Sequence, residues 1–255
     1  MATDQKPLAG KVAIVTGASK MNGIGAATAI ALAKKGADVL IHYASSAEPA
    51  QQVLQTIKTL GVNAAAVQAD ASTADFGSIL VTAALQELQT THIDIIVNNA
   101  GKSAFSRSIA ATPFDSWDPV FHVNVRGPFT LIQAALPHMP AGGRIINISS
   151  VVARQGAPLL PVYCASRGAL NSLTVSLASE LAAKGVTINI VAPGPVATDL
   201  SIMGTPIIDR LMANQHIKRE GTAEEVAAAV EFLAMPGSGF ITGQIVAVDG
   251  GIHLP

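Results

Sequence analysis

A doubly wound α/β fold, with helices on both faces of a seven-stranded parallel sheet, is what the 255 residues predict, and three observations predict it. Short β-branched runs alternate with Ala- and Leu-rich stretches along the chain, which is the rhythm of repeated βαβ crossovers. The strand runs are almost continuously apolar, as a sheet covered on both faces requires, since each strand then buries both of its sides. A glycine-rich turn follows the first strand and opens a long Ala-rich helix, the place where an α/β sheet receives a phosphate-bearing ligand.

The strands are read in KVAIVTG, ADVLIHYA, NAAAVQAD, IDIIVNNAG, GRIINISS, VTINIVAPG and QIVAVDGG. No low-complexity linker or break in composition separates them, so residues 1–255 are expected to form one domain. Residues 1 to about 10 are expected to be a loose tail. TDLSIMGTPIIDRLMANQHIKREG interrupts the rhythm from 199 to about 220 and is a candidate substrate lid.

Composition narrows the function. Charged residues make up 13% of the chain, about half the usual share, against 49% apolar residues, so much surface is expected to be hidden between subunits. A net charge of −1 and a pI near 6.6 offer no footprint for nucleic acid or an anionic membrane. Cys164 is the only cysteine, so no intrachain disulfide can form, and a cytoplasmic setting is expected. The opening segment lacks an apolar signal core, and no uncharged apolar run reaches the length of a bilayer span. The six histidines show no ligand spacing, and no catalytic metal is expected. Trp117 is read as packing a helix, and Cys164 as a small packing residue rather than a nucleophile.

The glycine turn makes the fold Rossmann-like. Gly17, Gly23 and Gly25 let backbone N–H groups approach a pyrophosphate, and Gly25 permits close packing of helix on strand. Glycines also punctuate ordinary βα turns, so the weight lies in their place directly after strand one. Strand two ends at Tyr43, Ala44, Ser45 and Ser46, with no carboxylate where an NAD site holds the ribose 2′-hydroxyl. Lys20 and the hydroxyls of Ser45 and Ser46 can instead hold a 2′-phosphate, which favours NADP(H); the competing reading makes Lys20 a solvated charge and the serines helix caps. Ser19 and Ile24 complete the turn. Asp70 and Ala71 close strand three beside the expected adenine, and Asn99, Ala100 and Gly101 close strand four at the ligand-binding edge.

At this point the chain closely resembles the short-chain dehydrogenase/reductase family from about Gly10 to Gly251. The resemblance is carried by the TG...GIG loop, NNAG, Asn124 in FHVNVRGPF, Ser150 in RIINISS, Tyr163 in YCASR and PGPVATD at 193–199. It implies that Tyr163 is the acid/base, that Ser150 orients a carbonyl and that Asn124 anchors a proton-relay water. It also implies that Pro193, Gly194, Val196 and Thr198 lie about the nicotinamide and that the protein is a homotetramer or homodimer. Those roles suit carbonyl reduction, which needs a hydride donor at carbon and a proton donor at oxygen; a phenol serves near neutrality only beside a positive charge.

Two departures follow. The residue four after the tyrosine is Arg167 where the family has lysine, and the glycine turn holds five residues between Gly17 and Gly23 where the common form has three. On a helix, positions i and i+4 share a face, so Arg167 can still stand beside Tyr163, and its fork can bond ribose hydroxyls. Ile202, Met203, Pro206, Ile207, Ile208, Leu211 and Met212 give the lid an apolar face, and Ala157 to Val162 an apolar approach. Together they favour a small apolar carbonyl or alcohol substrate, while subunit contact explains the same face equally well. NADPH-dependent reduction of an apolar ketone or 3-oxoacyl carbonyl is therefore expected. The alternatives are a non-redox dehydratase, isomerase or cyclase on the same fold, and a non-catalytic NADP-binding protein.

Overall fold

The structure is a computed structural model that describes residues 6–198 and 206–252, with no side-chain description at 206 and 207. Its strands are β1 (Val12–Val15), β2 (Asp38–Tyr43), β3 (Ala64–Gln68), β4 (Ile95–Asn98), β5 (Arg144–Ile148), β6 (Thr187–Pro193) and β7 (Ile245–Val248). All pair in parallel, in the order β3-β2-β1-β4-β5-β6-β7. Chain direction across the sheet reverses at β1, whose neighbours are β2 and β4, so a crevice opens at the carboxyl ends of β1 and β4.

Why the strands read as continuous apolar runs is visible in where alternate residues go. Ala13 and Val15 of β1 enter one core with Val39, Ile41, Ile95 and Val97, while Val12 and Ile14 enter the other with Leu40, Ile96 and Ile145. The first core is closed by α1 (Ile24–Lys34), α2 (Ala47–Lys58) and α9 (Ala223–Ala234), the second by α3 (Phe76–Glu87), α5 (Gly127–Ala135) and α7 (Pro161–Ala182). The short helices α4 (Trp117–Phe121), α6 (Val152–Gln155) and α8 (Pro206–Ala213) lie between these. Small residues set the spacing: Ala27 of α1 meets Ala223 and Ala227 of α9. A Cβ on Gly77 of α3 would stand 2.1 Å from the Thr130 carbonyl oxygen of α5, so only glycine permits that crossing.

Trp117 begins α4 and stacks on Phe121 at 5.4 Å. Residues Lys6 to Gly10 correct the expectation of a loose tail as far as the described chain goes. Leu8 is buried, its N–H donates to the Lys35 carbonyl at 2.9 Å, and the Lys11 N–H returns to Leu8 at 3.0 Å. A single leucine that seals the end of α1 is too short a signal for periodicity to detect. Of the expected lid, 199–205 lie outside the described residues, with Ile202 and Met203 among them. The rest forms α8 and two bridges, Val196 to Gly221 and Gln215 to Ile252, that tie it to the body. No helix of the described residues is long and apolar enough to cross a membrane.

Candidate active site

The glycine turn is built from its glycines upward. Gly17 sits at φ +66°, where a Cβ would lie 2.8 Å from Ala100 Cα. A Cβ on Gly25, in the first turn of α1, would lie 2.4 Å from the Gly17 oxygen and 2.5 Å from Asn99 Nδ2. These positions bring the turn against the end of β4, and hydrogen bonds lock the two together. Asn99 Nδ2 donates to the carbonyls of Thr16 and Gly17 at 2.9 Å each, and Thr16 Oγ1 accepts from the N–H groups of Asn99 and Ala100, also at 2.9 Å each. Gly23 is the N-cap of α1 without any side-chain cap, and its own N–H closes a turn onto the Lys20 carbonyl at 2.8 Å. The amides at the start of α1 thus meet the crevice without a side-chain acceptor.

Along the same edge Tyr43 is half-buried and Ser45 exposed, and Ser46 occupies the N-cap of α2 without making a side-chain cap. The helix-capping explanation of that serine therefore fails. Ser19 is half-buried and Lys20 exposed. Asp70 Oδ1 accepts from the Ser72 N–H at 2.8 Å, and hydrogen bonds from Ser72 hold its carboxyl below the usual range, helped by the charge of Lys102. Ala71 is buried beside it.

Deeper in the crevice Ile24, Asn99, Gly101, Ser150, Tyr163 and Arg167 line one pocket. Pro193, Gly194, Val196 and Thr198 line it as well, with the Gly194 N–H held by the Val248 carbonyl at 3.0 Å. Phe105, Leu160, Ile208 and Leu211 give the pocket its apolar wall, so the described part of the expected lid faces this cavity. Gly17, Ser19, Lys20, Gly23, Gly25, Tyr43, Ser45, Asp70, Ala71 and Ala100 do not line it; they extend the crevice toward β2 and β3.

Arg167 resolves its own departure from the family. It is 4% exposed, its Nη1 donates to the Ile148 carbonyl at 3.0 Å, and its Cζ lies 5.1 Å from the Tyr163 ring centroid. Room for the longer side chain comes from Gly101, where a Cβ would stand 2.2 Å from Nη2. One N–H of the fork is therefore committed to protein, and the remaining donors are those that the expected ribose hydroxyls would meet. Nε has no hydrogen-bond partner, and among the described residues Arg167 makes no ion pair. A buried cation with no counter-charge among the described residues favours an anionic group in this pocket.

Asn124 does not line the pocket. It is fully buried in a π-helical turn, His122–Arg126, behind the Gly101–Lys102 segment. Its Oδ1 accepts from the Lys102 N–H at 2.8 Å, while Nδ2 donates to the Lys102 carbonyl at 2.8 Å and to Ser166 Oγ at 2.9 Å. With both amide protons used, the side chain holds that segment in place, and the residue can anchor a relay water only through an oxygen acceptor. Ser150 Oγ accepts from the Val152 N–H at 3.4 Å. Burial pushes the Cys164 thiol up, so it stays protonated and a poor nucleophile.

Three contributors were not singled out from the sequence. Thr16 clamps the end of β4 as above. Lys102 lines the pocket, and its signal was a charge placed directly after NNAG. His42, a polar residue inside an apolar strand, bonds the glycine turn.

A family model described as enoyl-(acyl carrier protein) reductase matches residues 17–253. The chain belongs to the short-chain dehydrogenase/reductase family. It is 38% identical over 263 residues to a versicolorin reductase of Emericella nidulans, which covers 98% of each chain. With the 3-oxoacyl-[acyl-carrier-protein] reductase of Staphylococcus aureus it shares 36% over 247 residues, 96% of this chain and 98% of the relative. A blue fluorescent protein from a metagenomic library, crystallised in complex with NADPH, superposes with a TM-score of 0.91 at 39% identity, covering 97% of this chain and 100% of that one. The chain is thus an oxidoreductase of the short-chain dehydrogenase/reductase type, and the glycine cradle and the buried guanidinium fit a dinucleotide.

Proposed function

We propose that the protein is an NADP(H)-dependent reductase of small apolar ketones or 3-oxoacyl-type carbonyls, working as one domain in the cytoplasm. The observation that carries this reading is the buried guanidinium of Arg167, without an ion-pair partner among the described residues, beside Tyr163 in an apolar-walled pocket. Gly17, Gly23 and Gly25 with the amides of α1 would hold the pyrophosphate, Lys20 and Ser45 the 2′-phosphate, and Asp70 and Ala71 the adenosine. Asn99 to Gly101 and Arg167 would meet the ribose, and Pro193, Gly194, Val196 and Thr198 the nicotinamide.

The bound dinucleotide supplies the hydride. Ser150 and Tyr163 orient and polarise the carbonyl oxygen, and the Tyr163 phenol gives it a proton. Arg167, whose charge is permanent and whose Cζ lies 5.1 Å from the Tyr163 ring centroid, stabilises the phenolate that remains. Asn124 holds Gly101 and Lys102 against the guanidinium, and Leu160, Ile208 and Leu211 exclude water. Exposed Phe129 and Val175 on α5 and α7 support pairing of copies into a dimer or tetramer. The names of the versicolorin and 3-oxoacyl reductases support aromatic-polyketide and acyl-thioester ketones as substrates. The test is fluorescence titration with NADPH and NADH, then a ketone panel followed by NADPH oxidation. Tighter NADPH binding and stoichiometric oxidation are expected; product formed without NADPH consumption would establish the non-redox alternative.

A further inference from the structure

His42 is the second-last residue of β2 and is buried, yet it reaches both loops that frame the crevice. Its Nδ1 accepts from the Gly17 N–H at 3.1 Å, and its carbonyl accepts from the Ala18 N–H at 2.9 Å, so two consecutive amides of the glycine turn end on one residue. On the other side Nε2 lies 3.0 Å from the Ala69 carbonyl, beside Asp70. A carbonyl can only accept, so Nε2 carries the ring proton and Nδ1 is left as the acceptor for Gly17. The ring stands edge-on to Phe76 at 5.0 Å, which fixes its plane. Gly17 in turn sets the approach of Asn99 and Gly25.

We propose that His42 is a positioning residue for the dinucleotide, which holds the glycine turn in its binding geometry through the Nε2–H tautomer of its ring. This rests on the NADP(H) reading above. A second ring proton would set an N–H against the Gly17 N–H and release the turn. Burial lowers the tendency of this imidazole to take that proton, while the Ala69 carbonyl and Asp70, the one charged group acting on it among the described residues, favour protonation. Cofactor affinity is therefore held at neutral pH and through the ordinary imidazole range near about 6.5, and falls only at a lower pH, because burial lowers the pKa of His42.

The test measures NADPH dissociation constants by fluorescence, from neutral pH to about pH 5, for the wild-type protein, His42→Asn and His42→Leu, each checked for folding by circular dichroism. Asparagine offers an acceptor near the Nδ1 position and does not titrate; leucine offers none. His42→Leu is expected to bind about tenfold more weakly than wild type at neutral pH, the size of one lost hydrogen bond, with His42→Asn within about threefold. As the pH falls, wild type should weaken relative to His42→Asn, a ratio in which titration of the cofactor's own phosphate cancels. Leucine binding as tightly as histidine, or wild type and His42→Asn keeping a constant ratio throughout, would overturn the proposal. If leucine fails to fold, the second comparison still decides. Wild-type protein that does not bind NADPH at any pH would instead sink the cofactor reading, and this proposal with it.

Discussion

Gly101 and Arg167 are a matched pair. An added methyl at Gly101 would meet the tip of the guanidinium at 2.2 Å, and the tip of a side chain moves more easily than backbone. Gly101→Ala should therefore displace Arg167 rather than unfold the chain. A fall in turnover of about a hundredfold is expected, the usual result of a misplacement near 1 Å, with melting temperature little changed. Arg167→Lys on the Gly101→Ala background should recover part of the loss, because lysine is shorter; steady-state kinetics of the four proteins measure it, and strictly additive losses would contradict the pairing. The tyrosine and serine were legible through the family resemblance, and the arginine's place beside the tyrosine because i and i+4 share a helix face. That Gly101 makes room for the arginine was not legible, because the two meet only through the fold. Asn124 was legible as a site residue, but its amide is used on Lys102 and Ser166, contacts that chain order does not predict.

At the scale of elements, α9 matters because it packs on α1, the helix that follows the glycine turn. Its start is a capping box: Thr222 Oγ1 accepts from the Glu225 N–H at 3.2 Å, and Glu225 accepts from the Thr222 N–H at 2.8 Å and from Arg219. Removing the hydroxyl in Thr222→Val should cost about 1 kcal/mol and lower the melting temperature by about 2–4 °C in a chain of this size, read by calorimetry. The Arg219 hydrogen bond holds the Glu225 carboxyl at about 2, below its ordinary 4.5. A carboxyl depressed on folding adds stability above its unfolded value and loses it as the pH falls toward the folded one. The stability difference between wild type and Glu225→Gln should accordingly shrink as the pH drops below 4.5, and a difference that grows would contradict the assignment. All seven strands were legible as short apolar runs, although the edge strands β3 and β7 are only half-buried or exposed. The π-helical turn around Asn124 was not, since one extra residue per turn leaves no mark on apolar periodicity.

Across the whole molecule, strand order explains why residues from 17 to 211 converge. Only at the reversal beside β1 do the carboxyl ends of β1, β4, β5 and β6 share one crevice, so the chemistry assembles from segments far apart in sequence. The doubly wound class was readable from alternation, whereas the pairing of the glycine turn with the end of β4 depended on Thr16 and Asn99, whose hydrogen bonds cross about 80 residues. The central claim is that the Tyr163 phenol donates the proton to a carbonyl reduced with NADPH, with Arg167 stabilising the anion left behind. It is tested most directly by NADPH oxidation with an accepted ketone in wild type and Tyr163→Phe, alongside NADPH affinity for both. The account predicts a loss of at least about a hundredfold in turnover with cofactor affinity retained; a Tyr163→Phe protein that reduces the ketone at the wild-type rate would contradict it.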